Sequence, residues 1–386
     1  MKQTPPLSPV VAQELSLTNN IGIYIHIPFC SSKCNYCNFY SVEKKEKIEA
    51  YVDKCIEEIT RWGGLEARPV SSIYIGGGTP SLLSSEQFKK IVNAINKNFA
   101  VQQNAEITAE VNPGDNLGYL LPSFFETGCN RLSIGVQSGL DDELKILGRR
   151  HTVKDAALAV ETARKVGFSN ISLDLMTALP FSTPKTLENS LRFVLSLQPE
   201  HISTYMLKLE EGTPLYQKRD MLIFPDDDAA AEQYLQVSEC LTDAGYEHYE
   251  ISNFAKKGFH SRHNTLYWEC GEYLGVGPFA HSFLNGKRFY YQNDLDSFLK
   301  NPVTVFDGNG GGEDEYIMLG LRLKKGISTS EYFERFGKQM PSGIFKKAQL
   351  FEKNGLCRVT DDNISLTAKG MLLSNSIIAE FSEELI

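Results

Sequence analysis

The chain contains 386 residues, of which 42% are hydrophobic and 23% are charged, so its composition is that of an ordinary globular protein with roughly two or three domains. Its net charge of −9 argues against a protein-wide attraction to nucleic acid or to an anionic membrane. Eight cysteines in a chain of this length do not form a secreted disulfide framework. No run approaches the ~20 apolar residues that span a bilayer, and no signal-peptide core precedes residue 21, so we expect a soluble, cytoplasmic protein.

The first predicted element is an apolar strand at Ile21–Ile27, and three cysteines follow it closely. Cys30, Cys34 and Cys37 have the spacing C-x3-C-x2-C. Three thiolates on one loop can bind three irons of a [4Fe–4S] cluster, whereas a protein-bound cluster normally has four cysteine ligands. A C-x2-C pair alone is also typical of zinc or redox sites. The triad therefore predicts a cluster with one iron open to a further ligand, and structural zinc is the alternative.

Strands and helices alternate from residue 21 to about residue 210. The predicted helices include Lys45–Trp62, a helix that Ser84 and Gln87 cap, and a helix that begins at Thr183-Pro184. The predicted strands are Ile21–Ile27, Ile73–Ile75, Glu106–Val111, Arg131–Val136, Ile171–Met176 and His201–Leu207. Six such units predict a parallel sheet with crossover helices.

Glycine-rich and polar segments follow the ends of these strands. Loops after the strands form the active site of parallel barrels, so we expect the cysteine loop, Gly76–Gly78 and Asn112–Gly114 to meet on one face. Glycines allow a backbone to approach a ligand closely, but a tight turn needs them equally. Four polar residues could bind a ribose, a carboxylate and a sulfonium, although each alone is equally a solvated or paired group. They are Glu110, Gln137, Arg149 and Asp174.

The rest of the chain is less regular. We predict a helix at Ala229–Ala244, an aromatic, glycine-rich stretch to Tyr291 and a flexible linker at Gly308–Gly312. The elements predicted beyond it are helices near Glu313–Leu323, Ser330–Phe336 and Ile344–Asn354, a hairpin of Leu356–Thr360 with Ile364–Leu366, and a last helix. Helices followed by a hairpin resemble a winged-helix domain. Residues 301–386 contain 10 Lys and Arg against 12 Asp and Glu, so they lack the basic stripe of a DNA reader, and we interpret them as a packing domain.

These motifs resemble those of the radical S-adenosylmethionine (SAM) superfamily and, along the whole chain, of its oxygen-independent coproporphyrinogen III oxidase family. The matching segments are Tyr24–Cys30, Gly76–Pro80, Glu110–Pro113, Gly135–Gln137, Leu147–Arg149, Asp174–Met176 and the C-terminal domain. The resemblance implies that Cys30, Cys34 and Cys37 bind the cluster and that SAM chelates its open iron. It also implies that SAM is surrounded by Tyr24, Tyr36, Gly77, Gly78, Thr79, Glu110, Gln137, Arg149 and Asp174.

Two features distinguish this chain from the oxidases of that family. The oxidases have a further cysteine two positions after the third ligand, where this chain has Phe39. They also have a longer N-terminal arm, where this chain has about twenty residues before the first strand. Both features resemble the haem chaperone (HemW) branch. This resemblance implies a protein that binds haem and a SAM-liganded cluster and delivers haem to an acceptor, such as a respiratory-chain protein.

Two alternatives stay open. As an oxidase, the chain would use a 5′-deoxyadenosyl radical from SAM to take a hydrogen from a propionate of coproporphyrinogen III, giving CO2 and a vinyl group. As a degenerate barrel with structural zinc, it would bind neither an iron–sulfur cluster nor SAM.

A second motif, His263–Trp268, resembles the HN-x-x-YW sequence that the haem chaperone branch associates with haem. A histidine can ligate haem iron, and Tyr267 and Trp268 could stack on the macrocycle. Equally, His263 could be a hydrogen-bonded structural residue beside two core aromatic side chains. His281 follows a glycine-rich turn and could face the same cavity as SAM. Buried thiols are expected at Cys55, Cys129, Cys240, Cys270 and Cys357.

The sequence thus predicts an α/β fold, with a partial (βα)6 radical-SAM, TIM-like barrel and a C-terminal winged-helix-like α+β domain. The predicted boundaries are 1–20 for an N-terminal extension, 21–225 for the barrel, 226–307 for a segment with the HN-x-x-YW motif, and 308–386 for the C-terminal domain. The predicted bound groups are the [4Fe–4S] cluster, SAM and haem. We expect a haem-acceptor protein as partner, no nucleic acid, and the capacity to form a homodimer.

Overall fold

A computed structural model describes residues 20–385. Its strands are β1 Ile21–Ile27, β2 Val70–Gly77, β3 Val101–Val111, β4 Arg131–Gln137, β5 Ile171–Thr177, β6 His201–Met206, β7 Glu247–Glu250, β8 Asn253–Ala255, β9 Tyr273–Val276, β10 His281–Leu284, β11 Lys287–Tyr291, β12 Thr304–Asn309, β13 Ile327–Ser328, β14 Cys357–Val359 and β15 Asn363–Leu366. Its helices are α1 Ile48–Gly63, α2 Ser85–Asn98, α3 Leu117–Glu126, α4 Asp141–Ile146, α5 Val153–Val166, α6 Pro184–Ser196, α7 Pro214–Gln217, α8 Asp227–Asp243, α9 Arg262–Trp268, α10 Leu295–Lys300, α11 Glu313–Gly320, α12 Thr329–Phe336, α13 Ser342–Lys353, α14 Ala368–Leu372 and α15 Ser374–Ser382. The predicted N-terminal extension lies outside the described residues, apart from Asn20.

Twelve strands form one continuous sheet in the order β12-β11-β10-β9-β1-β2-β3-β4-β5-β6-β8-β7. Strands β1 to β6 are parallel neighbours in chain order, with helices between successive strands. Each of the six predicted strands overlaps an observed one. The α/β fold with a parallel sheet is therefore confirmed. No helix among residues 20–385 combines the length and the apolar character that crossing a membrane requires.

The side chains of β1 alternate between the hydrophobic core and the inner face of the sheet. Ile21, Ile23, Ile25 and Ile27 are fully buried in the main core, and each contributes about 1.5–3 kcal/mol of burial free energy. Tyr24 points to the other face, because successive side chains of a strand project in opposite directions. The polar residues of the barrel strands therefore lie on the inner face, where the loops after the strands can use them.

The predicted helix starts are confirmed at both positions that the sequence marked. Ser84 accepts from the Gln87 N–H and the Gln87 side chain accepts from the Ser84 N–H, which forms the expected capping box of α2. Thr183 caps α6, and Pro184 occupies its first turn. These caps begin the helices close to the loops that carry the polar residues.

The region that gave little sequence pattern completes both ends of the large sheet. Strand β9 pairs in parallel with β1, and Gly275 lies opposite Tyr24. Strands β10, β11 and β12 continue beyond β9, while β8 and β7 extend the other end from β6. The short strands and their glycine turns explain why the sequence showed no clear periodicity here.

The prediction of a flexible linker at Gly308–Gly312 is wrong. Gly308 belongs to β12 and lies opposite Arg288 of β11, and the Gly310 N–H donates to Gly286 O at 2.9 Å. A Cβ on Gly310 would lie 2.7 Å from the Phe283 ring. Gly310 and Gly311 therefore pack closely under an aromatic side chain, which a composition-based prediction cannot detect.

The C-terminal helices pack around a second core and a small sheet of order β13-β15-β14. The hairpin β14–β15 corresponds to the predicted one, and β13 adds a third strand. This arrangement agrees with the expected winged-helix-like α+β domain. An ion pair of Arg288 with Glu315, at 2.6 Å, and a hydrogen bond from the Ile251 N–H to Arg322 O, at 3.1 Å, join it to the barrel side.

Candidate functional site

A cavity of about 420 Å3 opens at the carboxyl ends of the parallel strands. The cysteine loop after β1, the glycine loop after β2 and polar residues at the ends of β3, β4 and β5 line it together, as expected of a parallel barrel. The predicted site residues that line it are Cys30, Cys34, Tyr36, Cys37, Gly77, Gly78, Thr79, Glu110, Gln137, Arg149 and Asp174. Tyr24 and His263 do not.

The cysteine loop is held in place by the turn between α4 and α5. The Asn35 N–H donates to Leu147 O at 2.9 Å, and the Asn35 side-chain amide donates to Ile146 O at 2.8 Å. Gly148 adopts φ +71° in this turn, and a Cβ there would lie 2.9 Å from the Asn35 side chain. The Leu147-Gly148-Arg149 segment thus brings Arg149 to the cavity and anchors the thiols beside it.

The three cysteines of the loop are partly exposed and form no disulfide. Thr79 Oγ1 donates to Cys30 Sγ at 3.6 Å, and Arg149 Nη1 donates to Cys34 Sγ at 3.5 Å. These contacts place one hydroxyl donor and one guanidinium beside two of the sulfurs, while burial raises the pKa of the Cys37 thiol. The loop therefore presents three potential ligands to the cavity.

The set of donors fits a cluster held by three cysteines. No other cysteine lines the cavity. Four of the five remaining thiols are buried, as predicted: Cys55, Cys129, Cys270 and Cys357. The fifth, Cys240, is half-buried against the main core. Ligands of one zinc ion lie about 2.0–2.3 Å from a common point. Within residues 20–385, no three His, Cys, Asp or Glu side chains are grouped to hold a single ion.

The glycine loop packs directly on the end of β1. Gly77 adopts φ +109°, and a Cβ there would lie 2.5 Å from His26 Nδ1. A Cβ on Gly78 would lie 2.5 Å from Phe29 O. Both glycines are therefore needed for the turn itself, and the same lack of side chains leaves their backbone open to the cavity.

Two buried carboxyl groups face the cavity. Glu110 accepts from the Tyr74 hydroxyl at 2.8 Å and from the Gly77 N–H at 3.0 Å, and burial raises the pKa of Glu110 to about 7. Asp174 accepts from the Ser133 hydroxyl at 3.1 Å, and burial raises the pKa of Asp174 to about 6. A cationic ligand would favour the ionised form of both groups, because opposite charge offsets the cost of burying them.

Gln137 and Arg149 occupy constrained positions at the rim. Gln137 ends β4 with φ +68°, a left-handed conformation that non-glycine residues seldom adopt. Arg149 Nη2 donates to Asn112 Oδ1 and to Gly135 O, both at 2.8 Å. These two hydrogen bonds fix the guanidinium beside Cys34, so Arg149 supplies charge at a defined place.

Tyr24 lies beneath the cavity wall. Its hydroxyl is 2.9 Å from His26 Nδ1, and His26 Nε2 is 2.9 Å from Tyr40 O. Burial lowers the pKa of His26 to about 4, so the imidazole is neutral at neutral pH. The direct contact between Tyr24 and SAM that the sequence predicts therefore stays a prediction, and the contacts observed for Tyr24 are with the protein.

His263 lies on α9, inside the barrel and below the cavity. It is 1% exposed, with Nδ1 at 2.9 Å from Ser72 Oγ and Nε2 at 2.7 Å from the Tyr267 hydroxyl. Its ring stacks on Tyr74 at a centroid distance of 5.4 Å. Both ring nitrogens thus have protein partners, and the haem role of His263 stays a prediction.

Several side chains of the site were missed by the sequence analysis. Tyr74, Ser133 and Tyr205 also line the cavity from the inner faces of β2, β4 and β6. Arg131, at the start of β4, is only 2% exposed, and its Nε has no hydrogen-bond partner among the described residues. Its charge lowers the pKa of both Glu110 and Asp174 against the effect of burial. The sequence pattern that could have identified these residues is a polar residue at every second position of otherwise apolar strands.

Comparison with known proteins agrees with this geometry. The sequence model of the Radical SAM superfamily matches residues 24–194, which carry every residue that lines the cavity except Tyr205. The model of the HemN C-terminal domain matches residues 314–373. The structure of coproporphyrinogen III oxidase (HemN) from Escherichia coli superposes with a TM-score of 0.82 at 23% identity, covering 96% of this chain and 91% of that one. The fold and the cavity are those of radical SAM proteins.

Relatives that match nearly the whole chain identify the family within the superfamily. The chain is 37% identical to the heme chaperone HemW of Bacillus subtilis, over 94% of this chain and 99% of that protein. It is 33% identical to the mitochondrial radical S-adenosyl methionine domain-containing protein 1 of Bos taurus, over 92% of this chain and 86% of that protein. The chain belongs to the HemW family of the radical SAM superfamily. Membership of the superfamily implies a [4Fe–4S] cluster and SAM, and the three thiols around one cavity fit both.

Proposed function

We propose that this protein is a haem chaperone, which binds haem and a SAM-liganded [4Fe–4S] cluster and transfers the haem to an acceptor protein. The observation that carries the proposal is the similarity to heme chaperone HemW proteins along nearly the whole chain, at 37% identity for the Bacillus subtilis protein. The cavity supports it, because Phe39 lies at its edge, 68% exposed, where the oxidases have a further cysteine.

Within this proposal the cavity residues have separate roles. Cys30, Cys34 and Cys37 hold three irons, and the cluster supplies redox chemistry to bound SAM. Glu110 and Asp174 place negative charge near the cationic part of SAM. The proposed remaining contacts of SAM are Tyr24, Tyr36, Gly77, Gly78, Thr79, Gln137 and Arg149.

The proposal extends to location, partners and domains. We place the protein in the cytoplasm, with a respiratory-chain protein as a candidate acceptor and a homodimer as a candidate assembly. The proposed domains are the barrel at 21–225, the segment with the HN-x-x-YW motif at 226–307 and the C-terminal domain at 308–386, after an N-terminal extension at 1–20. Residues 301–386 have a net charge of −2, which supports packing rather than DNA binding.

An anaerobic turnover assay on the cluster-reconstituted protein tests the proposal against the oxidase alternative. The assay contains SAM, a reductant and coproporphyrinogen III, and chromatography quantifies porphyrins and 5′-deoxyadenosine. We expect no decarboxylation, with some 5′-deoxyadenosine to show that the cluster is competent. Protoporphyrinogen formed in step with 5′-deoxyadenosine would make the protein an oxidase.

A further inference from the structure

The seven histidines of the chain differ in whether their ring nitrogens are already used. Six have a nitrogen hydrogen-bonded to another group of the protein; they are His26, His151, His201, His248, His260 and His263. His281 is exposed and makes no side-chain hydrogen bond within residues 20–385. Among the described residues it is therefore the histidine for which neither ring nitrogen is used by another group of the protein.

His281 is set between two aromatic rings at the start of β10. The Tyr290 ring stacks on the imidazole at a centroid distance of 4.9 Å and an interplanar angle of 23°. The Phe279 ring meets it edge-on at 5.3 Å and 77°. Partial burial lowers the pKa of His281 below the ordinary value of 6.5, with Arg288 lowering it further and Asp307 raising it. The lowered pKa favours the neutral imidazole, which has a lone pair for a metal.

Phe279 is held in an unusual conformation beside this histidine. It adopts φ +64°, which is rare for a bulky side chain, and it remains 41% exposed. Its N–H donates to Tyr291 O at 3.1 Å and to Gln292 O at 3.2 Å, so the backbone is fixed. Strained residues of this kind cluster at functional sites, and an exposed aromatic ring there points to a ligand with an apolar surface.

The same surface continues across two further strands. His281 pairs with Tyr290 of β11, and Tyr290 pairs with Val305 of β12. Cross-strand partners share one face of a sheet, so these side chains form a row next to Phe279. The row combines one unpaired imidazole with aromatic and aliphatic side chains.

This row lies on the inner face of the sheet, the face that carries the cavity residues. His281 and Phe283 are two positions apart and share a face, and Phe283 pairs with Tyr273 of β9. Gly275, two positions after Tyr273, pairs with Tyr24 of β1. Neighbouring strands are about 4.8 Å apart, so the row begins roughly 10 Å from the strand that leads into the cysteine loop.

We propose that His281 is an axial ligand of bound haem, and that Phe279, Tyr290 and Val305 contact the macrocycle. A histidine nitrogen is a common haem-iron ligand, and flat aromatic side chains provide the apolar contact area that a porphyrin needs. The inference rests on the proposed haem binding and names its site. His263 could ligate iron only after leaving Ser72 and Tyr267 inside the barrel.

The test is a haem titration of the cluster-loaded protein, followed by difference spectra in the Soret region. For His281→Ala we expect the Kd for haem to rise at least about ten-fold, with a shifted Soret band that added imidazole partly restores. The matched control is His260→Ala, another exposed histidine, whose ring pairs with Glu247 at 2.8 Å; we expect the wild-type Kd. Cluster iron content and the thermal midpoint report folding in both variants.

Three results would overturn the inference, and one of them also overturns the proposed function. A wild-type spectrum and Kd in His281→Ala would show that haem binds elsewhere, while the chaperone proposal would stand. Loss of haem binding in His263→Ala with normal binding in His281→Ala would assign the iron to the HN-x-x-YW motif. A wild-type protein that binds no haem would remove both the site and the proposed function.

Discussion

The cavity and the HN-x-x-YW helix lie close together, yet they use their polar groups in opposite ways. In the cavity, Cys30, Cys34 and Cys37 are partly exposed and line the open space. In α9, His263 is 1% exposed and both its nitrogens are bonded to the protein. Both motifs contain potential metal ligands, but only those of the cysteine loop are accessible to a bound group. A motif identifies the residue types, but hydrogen-bond partners and burial decide whether a ligand can reach them.

The largest expected effect is the loss of the cluster in Cys34→Ser. This variant removes one of three thiol ligands and replaces the sulfur that accepts from Arg149 Nη1 with a hydroxyl oxygen. We expect cluster iron to be abolished while haem uptake is largely retained, because the His281 row is a separate surface. Cys55→Ser, a change of a thiol outside the cavity, is the control for iron content. Equal loss of cluster and haem would contradict the separation of the two sites.

The next effect concerns the buried acid Glu110. Burial raises the pKa of Glu110 to about 7, so ionisation of Glu110 destabilises the folded protein. The free energy of unfolding therefore falls as pH rises from about 4.5, the ordinary pKa of a glutamate, to about 7. Glu110→Gln should therefore raise the free energy of unfolding at pH 8 by an amount on the order of 3 kcal/mol or less. The same change should weaken SAM binding, because SAM is cationic.

Wild-type affinity for SAM should rise between pH 5.5 and pH 8 as Glu110 and Asp174 ionise, and Glu110→Gln should flatten this profile. Isothermal titration calorimetry at several pH values measures the SAM affinity of the wild type and of Glu110→Gln. The matched control is Glu106→Gln, which changes a buried glutamate that accepts from the Arg262 and His263 N–H groups at 3.1 Å. A steep pH profile that survives in Glu110→Gln would assign the titration to another group.

A smaller effect is expected for His263→Ala. The substitution leaves Ser72 and Tyr267 without a partner in the barrel interior, so we expect the free energy of unfolding to fall by about 2 kcal/mol. Cluster iron and the Kd for haem should change little. His201→Ala is a close match, because His201 is fully buried with partners Ser172 and Tyr249. A haem defect in His263→Ala that is absent from His201→Ala would restore His263 as a haem residue.

The smallest effect is expected for Phe279→Gly, which separates stability from binding. Glycine accepts φ +64° freely, so the change relieves backbone strain of about 1–3 kcal/mol, offset by about 0.4–1 kcal/mol of unfolded-state entropy. Loss of the ring contacts with His281 and Tyr290 opposes this gain, so we expect chemical denaturation to show little change in stability, with a several-fold weaker affinity for haem. Unchanged haem affinity would mean that the strained ring serves another purpose.

The barrel and the cysteine loop could be predicted because their signals are local. Alternation of residues in β1, the caps at Ser84 and Thr183, and the spacing of three cysteines are all visible within a few neighbouring positions. The parallel arrangement of the strands then predicted that the loops after them lie on one face of the barrel. Most of the cavity followed from this rule, since parallel strands deliver their following loops to the same edge.

The features that could not be predicted from the sequence depend on contacts between residues that are far apart in the chain. Gly310 resembled a linker because its requirement, the Phe283 ring, lies on another strand. One partner of His263 is Ser72, nearly two hundred positions away. Arg131 is buried because the curved sheet turns that face inward. Such partners are defined by the tertiary structure alone.

The most direct test of the account is a haem-transfer experiment on the anaerobic, cluster- and SAM-loaded protein. Haem is added, the excess is removed, and a haem-free acceptor protein is supplied while difference spectra follow the haem and iron analysis follows the cluster. The account predicts that the chain holds haem in addition to its cluster iron and passes the haem to the acceptor with the cluster intact. Failure to retain haem, combined with decarboxylation of coproporphyrinogen III by the same preparation, would contradict it.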